Sequence, residues 1–274
     1  MKNINIAKRI KNLGFIQIMI LICFHLMASE GNAQYDTIKL PATGVLQIKN
    51  LKPGLREYII YTQFPNKPKS FSFWLWKRNT QIEERNGENV FVTKEVWTGE
   101  DTTSYREYYS INRMSDFAPI YKKATIKNKT HAYNWEDRRI VRSDSVPNNA
   151  VELGFKLDFN EPVLNWHMDI ETFEMLPLGP DKVFAINFYD AGQQPPKYNI
   201  YNVTGEERVS SYDGKTIDCW VLNRSGINGN GKKFSQTFWI SKKTHEFIKE
   251  EDNWDGVIRH KIKLPSMPIE MPIQ

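Results

Sequence analysis

The stretch Phe71-Ser72-Phe73-Trp74-Leu75-Trp76 has the period of a β-strand but no polar face. Phe71, Phe73 and Leu75 point one way, and Trp74 and Trp76 point the other. A strand in a sheet with one wet face has no use for both. Two explanations fit: a central strand covered on both sides, or a strand with one aromatic face lining an apolar cavity open to a ligand, since ligand pockets are mostly apolar with few polar groups.

Outward from it, short apolar or alternating segments recur every ten or so residues, divided by Gly, Pro, Asn or Asp. Before the middle of the chain they fall at 44–49, 56–63, 70–78, 89–97, 104–111, 119–127 and 130–135. After it they fall at 182–189, 197–203, 207–211, 216–223, 233–241, 246–252 and 257–263. This spacing predicts an antiparallel all-β array. Asn86-Gly87, Asp213-Gly214 and Asp255-Gly256 supply the positive φ that two-residue hairpins need, and Gly226 to Gly231 makes a longer loop.

Residues 160–176 break the pattern. Val163, Trp166, Ile170, Phe173 and Leu176 recur at intervals of three or four, which predicts one apolar helix face. Asn160 reads as its N-cap, Pro162 is tolerated in the first turn, and Pro177 stops it. His167, Asp169, Glu171 and Glu174 then read as a solvated polar face with local ion pairs. With no charged or Gly/Ser linker between the two groups of strands, residues 34–274 read as one domain. Its expected class is mainly β (α+β), a curved antiparallel sheet forming a half-open barrel on this helix.

The first 33 residues read as an address. Lys2, Lys8, Arg9 and Lys11 precede an apolar run from Leu13 to Met27, and Gly31-Asn32-Ala33 stands before Gln34. That is the pattern of a secretory signal peptide cleaved near Ala33, and its apolar run is too short to span a bilayer. The 274 residues carry 37 basic and 32 acidic side chains. Cleavage leaves 33 basic and 31 acidic residues, a net charge of +2, interleaved without a basic stripe, which argues against nucleic acid as a partner. Cys219 becomes the only cysteine, so no internal disulfide can form. The expected location is periplasmic or associated with the outer envelope, with no transmembrane segment after cleavage.

Catalytic patterns are weak. His131, His167, His245 and His260 show no metal-ligand spacing, and no Gly-x-Ser-x-Gly elbow occurs. Cys219 alternates with Ile217 and Val221 like a small buried hydrophobe. Gly214-Lys215-Thr216 lacks the earlier glycine of a phosphate loop, with Val209 in its place, and reads as a hairpin turn. Asn128, Asn202 and Asn223 begin glycosylation-type triplets. The sequence calls for no cofactor and no metal.

Tyr198-Asn-Ile-Tyr-Asn-Val-Thr-Gly-Glu-Glu-Arg-Val, Thr216-Ile-Asp-Cys-Trp-Val-Leu and above all Phe238-Trp-Ile-Ser-Lys-Lys-Thr244 resemble an uncharacterised family of exported bacterial proteins, a domain of unknown function related in fold to the lipoprotein carriers LolA and LolB. The resemblance covers residues 160–264 well and the earlier strands by pattern. It implies a half-open barrel with a concave apolar surface. The function expected is therefore an exported, non-enzymatic envelope protein holding a lipid, lipid-linked or other hydrophobic ligand in that hollow. Phe73, Trp74, Trp76, Trp166 and Phe173 are the candidate lining residues. The alternatives are a structural or protein-interaction module with a filled core, and, remotely, a hydrolase. A large apolar void between sheet and helix favours binding, and a filled one favours the structural role.

Overall fold

The computed structural model describes residues 37–210 and 214–265. The expected leader and Asp213 lie outside them.

In the first half the strands are β1 (Thr37–Leu40), β2 (Gly54–Phe64), β3 (Lys67–Arg85), β4 (Glu88–Thr98), β5 (Arg106–Arg113), β6 (Pro119–Ile126), β7 (Lys129–Glu136), β8 (Arg139–Arg142), β9 (Lys156–Asp158) and β10 (Leu164–Asn165). One short helix, α1 (Asp169–Met175), leads to β11 (Val183–Tyr189), β12 (Lys197–Ser210), β13 (Thr216–Ile227), β14 (Lys233–Ser241), β15 (Phe247–Trp254) and β16 (Val257–Lys263). They form one sheet in the order β1-β11-β12-β13-β14-β15-β16-β2-β3-β4-β5-β6-β7-β8-β9. Each half is a run of hairpins, and the β16–β2 pairing, with Lys261 opposite Ile60, joins the halves. β1 and β10 both add in parallel to the outer edge of β11.

The tight turns follow their chemistry. Asn86 and Gly87 (φ 53° and 78°) close the β3–β4 hairpin, and Asp255 and Gly256 (55° and 79°) close β15–β16, as a turn with two positive φ values requires. Segments 197–203 and 207–211, expected as two strands, are largely one. The register shifts between Val203 and Gly205, where Gly205 has φ 150°, so a bulge keeps β12 continuous through the break in the pattern. The segment expected as a strand at 44–49 is instead a turn and a 3-10 turn at Ile48–Asn50. It is held by the Gln47 N–H donating to the Met175 carbonyl.

The sheet curves around α1, and the core lies between them. Tyr58, Ile60, Trp76 and Phe91 from the sheet meet Met168, Ile170, Phe173 and Met175. A second cluster links strands from opposite ends of the sheet order: Tyr189 on β11 packs 5.7 Å from Trp135 on β7 and 5.2 Å from Phe159. Strands near the two ends of the sheet order therefore meet through aromatic rings.

The helix is shorter than the periodicity predicts. Asn160 is no cap, Leu164 and Asn165 pair with β11, and a 3-10 turn at Trp166–Met168 precedes α1, with the Asn165 side chain accepting from the His167 N–H. Val163, Ile170, Phe173 and Leu176 are buried all the same, because a short strand followed by a helix turns the same residues inward.

Candidate functional site

Building the interior starts with charge. Glu171 and Glu174 on α1 are fully buried, which corrects the expectation of a solvated polar face. Two strand arginines reach them. Arg56 donates to Glu174 at 2.5 Å and to Glu171 at 2.8 Å. The fully buried Arg78 donates from Nε to Glu171 at 2.8 Å, pairs through its terminal nitrogens with Glu171 and Glu95, and reaches the His167 carbonyl at 2.8 Å. Glu95 also accepts from the Trp76 indole at 3.0 Å, and Glu174 accepts the Phe247 N–H at 2.9 Å. Burial alone raises a carboxyl pKa, but Arg78 and Arg56 more than offset it at Glu171 and hold that group below its ordinary value. At Glu174 burial prevails and the shift is upward. The sheet thus holds the helix through buried ion pairs.

Beside α1 a small hollow remains, about 170 Å³. Its aromatic walls include Trp76, Trp97, Tyr108, Trp166, Phe173 and Tyr201. Its polar groups sit in pairs. Lys122 binds Asp190, which is 3.4 Å from His167 Nε2, and His167 stacks on Tyr108 with ring centroids 4.2 Å apart. Lys261 binds Glu250, and Arg259 bridges Glu250 and Asp252. Of the charged lining residues, Asp190 and Arg259 are 37% and 31% exposed. Burial pushes Asp190 up, yet the hydrogen bond from His167 and the charge of Lys122 hold it far below the usual carboxylate range. Burial, then the charge of Glu250, pushes Asp252 up to about 7. Two groups stand apart from the pairing. Asp169 accepts from the Ile170 N–H at 2.8 Å and has no ion pair among the described residues. The buried Tyr201 hydroxyl has no hydrogen bond of normal geometry among them.

Of the five candidate lining residues, Trp76, Trp166 and Phe173 line the hollow. Trp74 is half-buried against the core, 6.0 Å from Trp97, with Arg106 over its ring. Phe73 lies on the opposite, convex face. Phe71 and Phe73 are 63% and 37% exposed, so this stretch is not covered on both sides. With Ile59, Tyr61 and Ile258 they bound a shallow apolar depression of about 810 Å³, with Lys69 among its lining residues. Between sheet and helix, where a large void or a filled space was open to decision, only the small hollow is found, and the larger apolar depression lies on the convex face.

The charged lining was legible but unread. Around the Asp255-Gly256 turn, Glu250 and Asp252 face Lys261 and Arg259 in register. Complementary charges two residues apart on both arms of a hairpin mark facing pairs on one side of a sheet. The rest, from His167 to Asp190, is joined only by the curvature of the sheet.

Other chemistry is scattered. Cys219 is buried, and burial pushes its thiol up to about 12, as for an inert core cysteine. His260 stacks on Tyr61 at 4.6 Å, and His245 occupies the β14–β15 turn at φ 57°. No group of three or more His, Cys, Asp or Glu side chains among the described residues is placed to hold a metal ion. No described helix is long and apolar enough to cross a membrane.

A family model described as a protein of unknown function, DUF3108, matches residues 67–263. The chain belongs to that family. The match begins at β3 and runs through β16, so it reaches further towards the N-terminus than the resemblance read from 160–264, while β1 and β2 lie before it. No curated protein matches this DUF3108 chain. Among solved structures it is similar to a β-barrel-like protein of the domain of unknown function DUF1849 from Brucella abortus, at 10% identity and a TM-score of 0.51, over 78% of this chain and 96% of that one. That likeness supports the open, curved, barrel-like fold. The kinship with LolA and LolB rests on the sequence reading alone.

Proposed function

We propose that this DUF3108 protein is an exported, non-catalytic binding protein of the cell envelope, and that its ligand seats in the hollow on the concave face. The observation that carries this reading is a hollow of about 170 Å³ on the concave face, walled by Trp76, Trp166 and Phe173. A core packed only for stability leaves few voids larger than a water molecule. The hollow is smaller than the roughly 300–1,000 Å³ of drug-sized sites, which suits a small ligand or one end of a larger one. Native mass spectrometry and solvent extraction of the full chain, purified without detergent, test the reading. A bound small molecule that is lost in Trp166→Ala supports it, and a bare protein with an empty extract counts against it.

A second reading keeps the lipid and moves it to the convex face. The depression at Phe71 and Phe73 has the size and apolar lining for one acyl chain, and Lys69 suits an anionic head. Decanoate binding that is abolished by Phe71→Ser and untouched by Trp166→Ala favours this second site.

A further inference from the structure

We infer that the ligand of the hollow carries an oxyanion, a carboxylate or a phosphate, and that Arg224 on β13 receives it. The inference rests on the hollow being a ligand site.

Among the described residues, every arginine except Arg106 and Arg224 lies in an ion pair with a carboxylate. Both exceptions are half-buried, and both lie against aromatic rings that wall the hollow. Arg106 is 6.0 Å from the centre of the Trp97 ring. Arg224 is 5.8 Å from that of Trp166 and 5.9 Å from that of Tyr201, with Phe234 at 5.0 Å. A guanidinium drawn out of water without a counter-charge is costly, and ring faces recover only part of that cost.

Arg224 is also fixed in place. It donates to the side-chain oxygen of Gln236 at 2.8 Å and to that of Asn199 at 2.7 Å. These amides come from β14 and β12, the strands on either side of β13. Gln236 itself lines the hollow. Two neutral acceptors thus orient the fork while leaving its charge and its remaining N–H groups unspent. A carboxylate or phosphate supplies the missing charge and takes those donors, the pairing that a planar fork suits best.

The carboxylates around the hollow leave room for such a group. Asp190 is paired with Lys122, Glu250 with Lys261 and Arg259, and Glu95 with Arg78, so an anion at Arg224 breaks none of these pairs. Asp169 is the lining carboxylate without an ion pair among the described residues, and Arg106 and Arg224 together outweigh its repulsion. A cationic ligand meets both arginines and Lys261, which lies 4.7 Å from the centre of the Trp76 ring.

The test is a titration of the full chain with compounds that share one ring and differ in charge. Benzoate and phenyl phosphate are the anions, benzamide is the neutral isostere of benzoate, and benzamidine is the cation. The readouts are saturation transfer to the ring protons and the shift of the Trp166 indole resonance. At least one anion should bind tenfold or more tightly than benzamide, with benzamidine weakest, and the preference should shrink as salt is raised. Arg224→Gln should bring that anion down to the affinity of benzamide, and Arg224→Lys, which keeps the charge without the fork, should fall between. Benzamide or benzamidine binding as tightly as the anions overturns the inference and leaves the ligand site standing. So does a folded Arg224→Gln protein that binds the anion as the parent does. If that variant fails to fold, the comparison of benzoate with benzamide on the parent decides alone. If no probe binds, native mass spectrometry decides: a co-purified anion that is lost in Arg224→Lys supports the inference, a neutral or cationic one overturns it alone, and a bare protein removes the ligand-site reading with it.

Discussion

Glu171 ties the helix to two strands of the sheet. Its two oxygens serve Arg56 and Arg78, so removing its charge leaves two buried guanidinium groups with only Glu174 and Glu95. Loss of one partner from a buried ion pair typically costs about 3–5 kcal/mol. Glu171→Gln is therefore expected to lower the free energy of unfolding by an amount of that order, seen as a lower chemical-denaturation midpoint at unchanged slope. A loss below about 1 kcal/mol, the range of surface pairs, would mean the network is not formed as described. None of this could be read along the chain, because Glu171 lies 115 residues from Arg56 and 93 from Arg78. A helix carrying Asp169, Glu171 and Glu174 looks amphipathic, and only the strand arginines make its polar side internal.

Among the elements, the β15–β16 hairpin carries a shifted carboxyl next to the charged residues of the hollow. Asp252 is pushed up to about 7 by burial and by Glu250, against the pull of Arg259 and Lys261. Since an unfolded aspartate titrates near 3.9, the folded state binds the extra proton between those values. The stability Asp252 contributes is full below pH 4 and is lost as pH rises through 7. Asp252→Asn does not titrate, so its thermal midpoint relative to the parent should rise between pH 4.5 and pH 8. A constant difference contradicts the shift. The convex face of β2 and β3 makes a separate prediction. Phe71 is 63% exposed, so Phe71→Ser should move stability by no more than about 0.5 kcal/mol, while reducing the binding of an apolar dye such as ANS. Hairpins were the legible part of the fold: alternation and Asn-Gly or Asp-Gly turns place most strands from β2 to β7 and from β11 to β16. The short β1, β8, β9 and β10 were missed because four or fewer residues carry no period, and the bulge at Gly205 split β12 in the reading.

Across the whole molecule, curvature decides which residues meet. The aromatic load of the sequence is divided between a core around α1, a cluster joining strands from the two ends of the sheet and an exposed convex patch. Composition does not reveal that division. The stretch 71–76 illustrates it. Its period promised two apolar faces, and both exist, but Trp76 reaches the hollow while Phe71 and Phe73 face outward. The helix signal was right in its buried residues and wrong in its length, because β10 and a 3-10 turn satisfy the same spacing. The central claim, that the hollow is a ligand site, is tested most directly by the tryptophan indole resonances in a ¹H–¹⁵N spectrum of the full chain during titration with a small-molecule extract of the cell envelope. The account predicts saturable shifts of the Trp76, Trp97 and Trp166 indoles while those of Trp239 and Trp254 stay fixed. Indoles that remain unmoved throughout, or that move only outside the hollow, would contradict it.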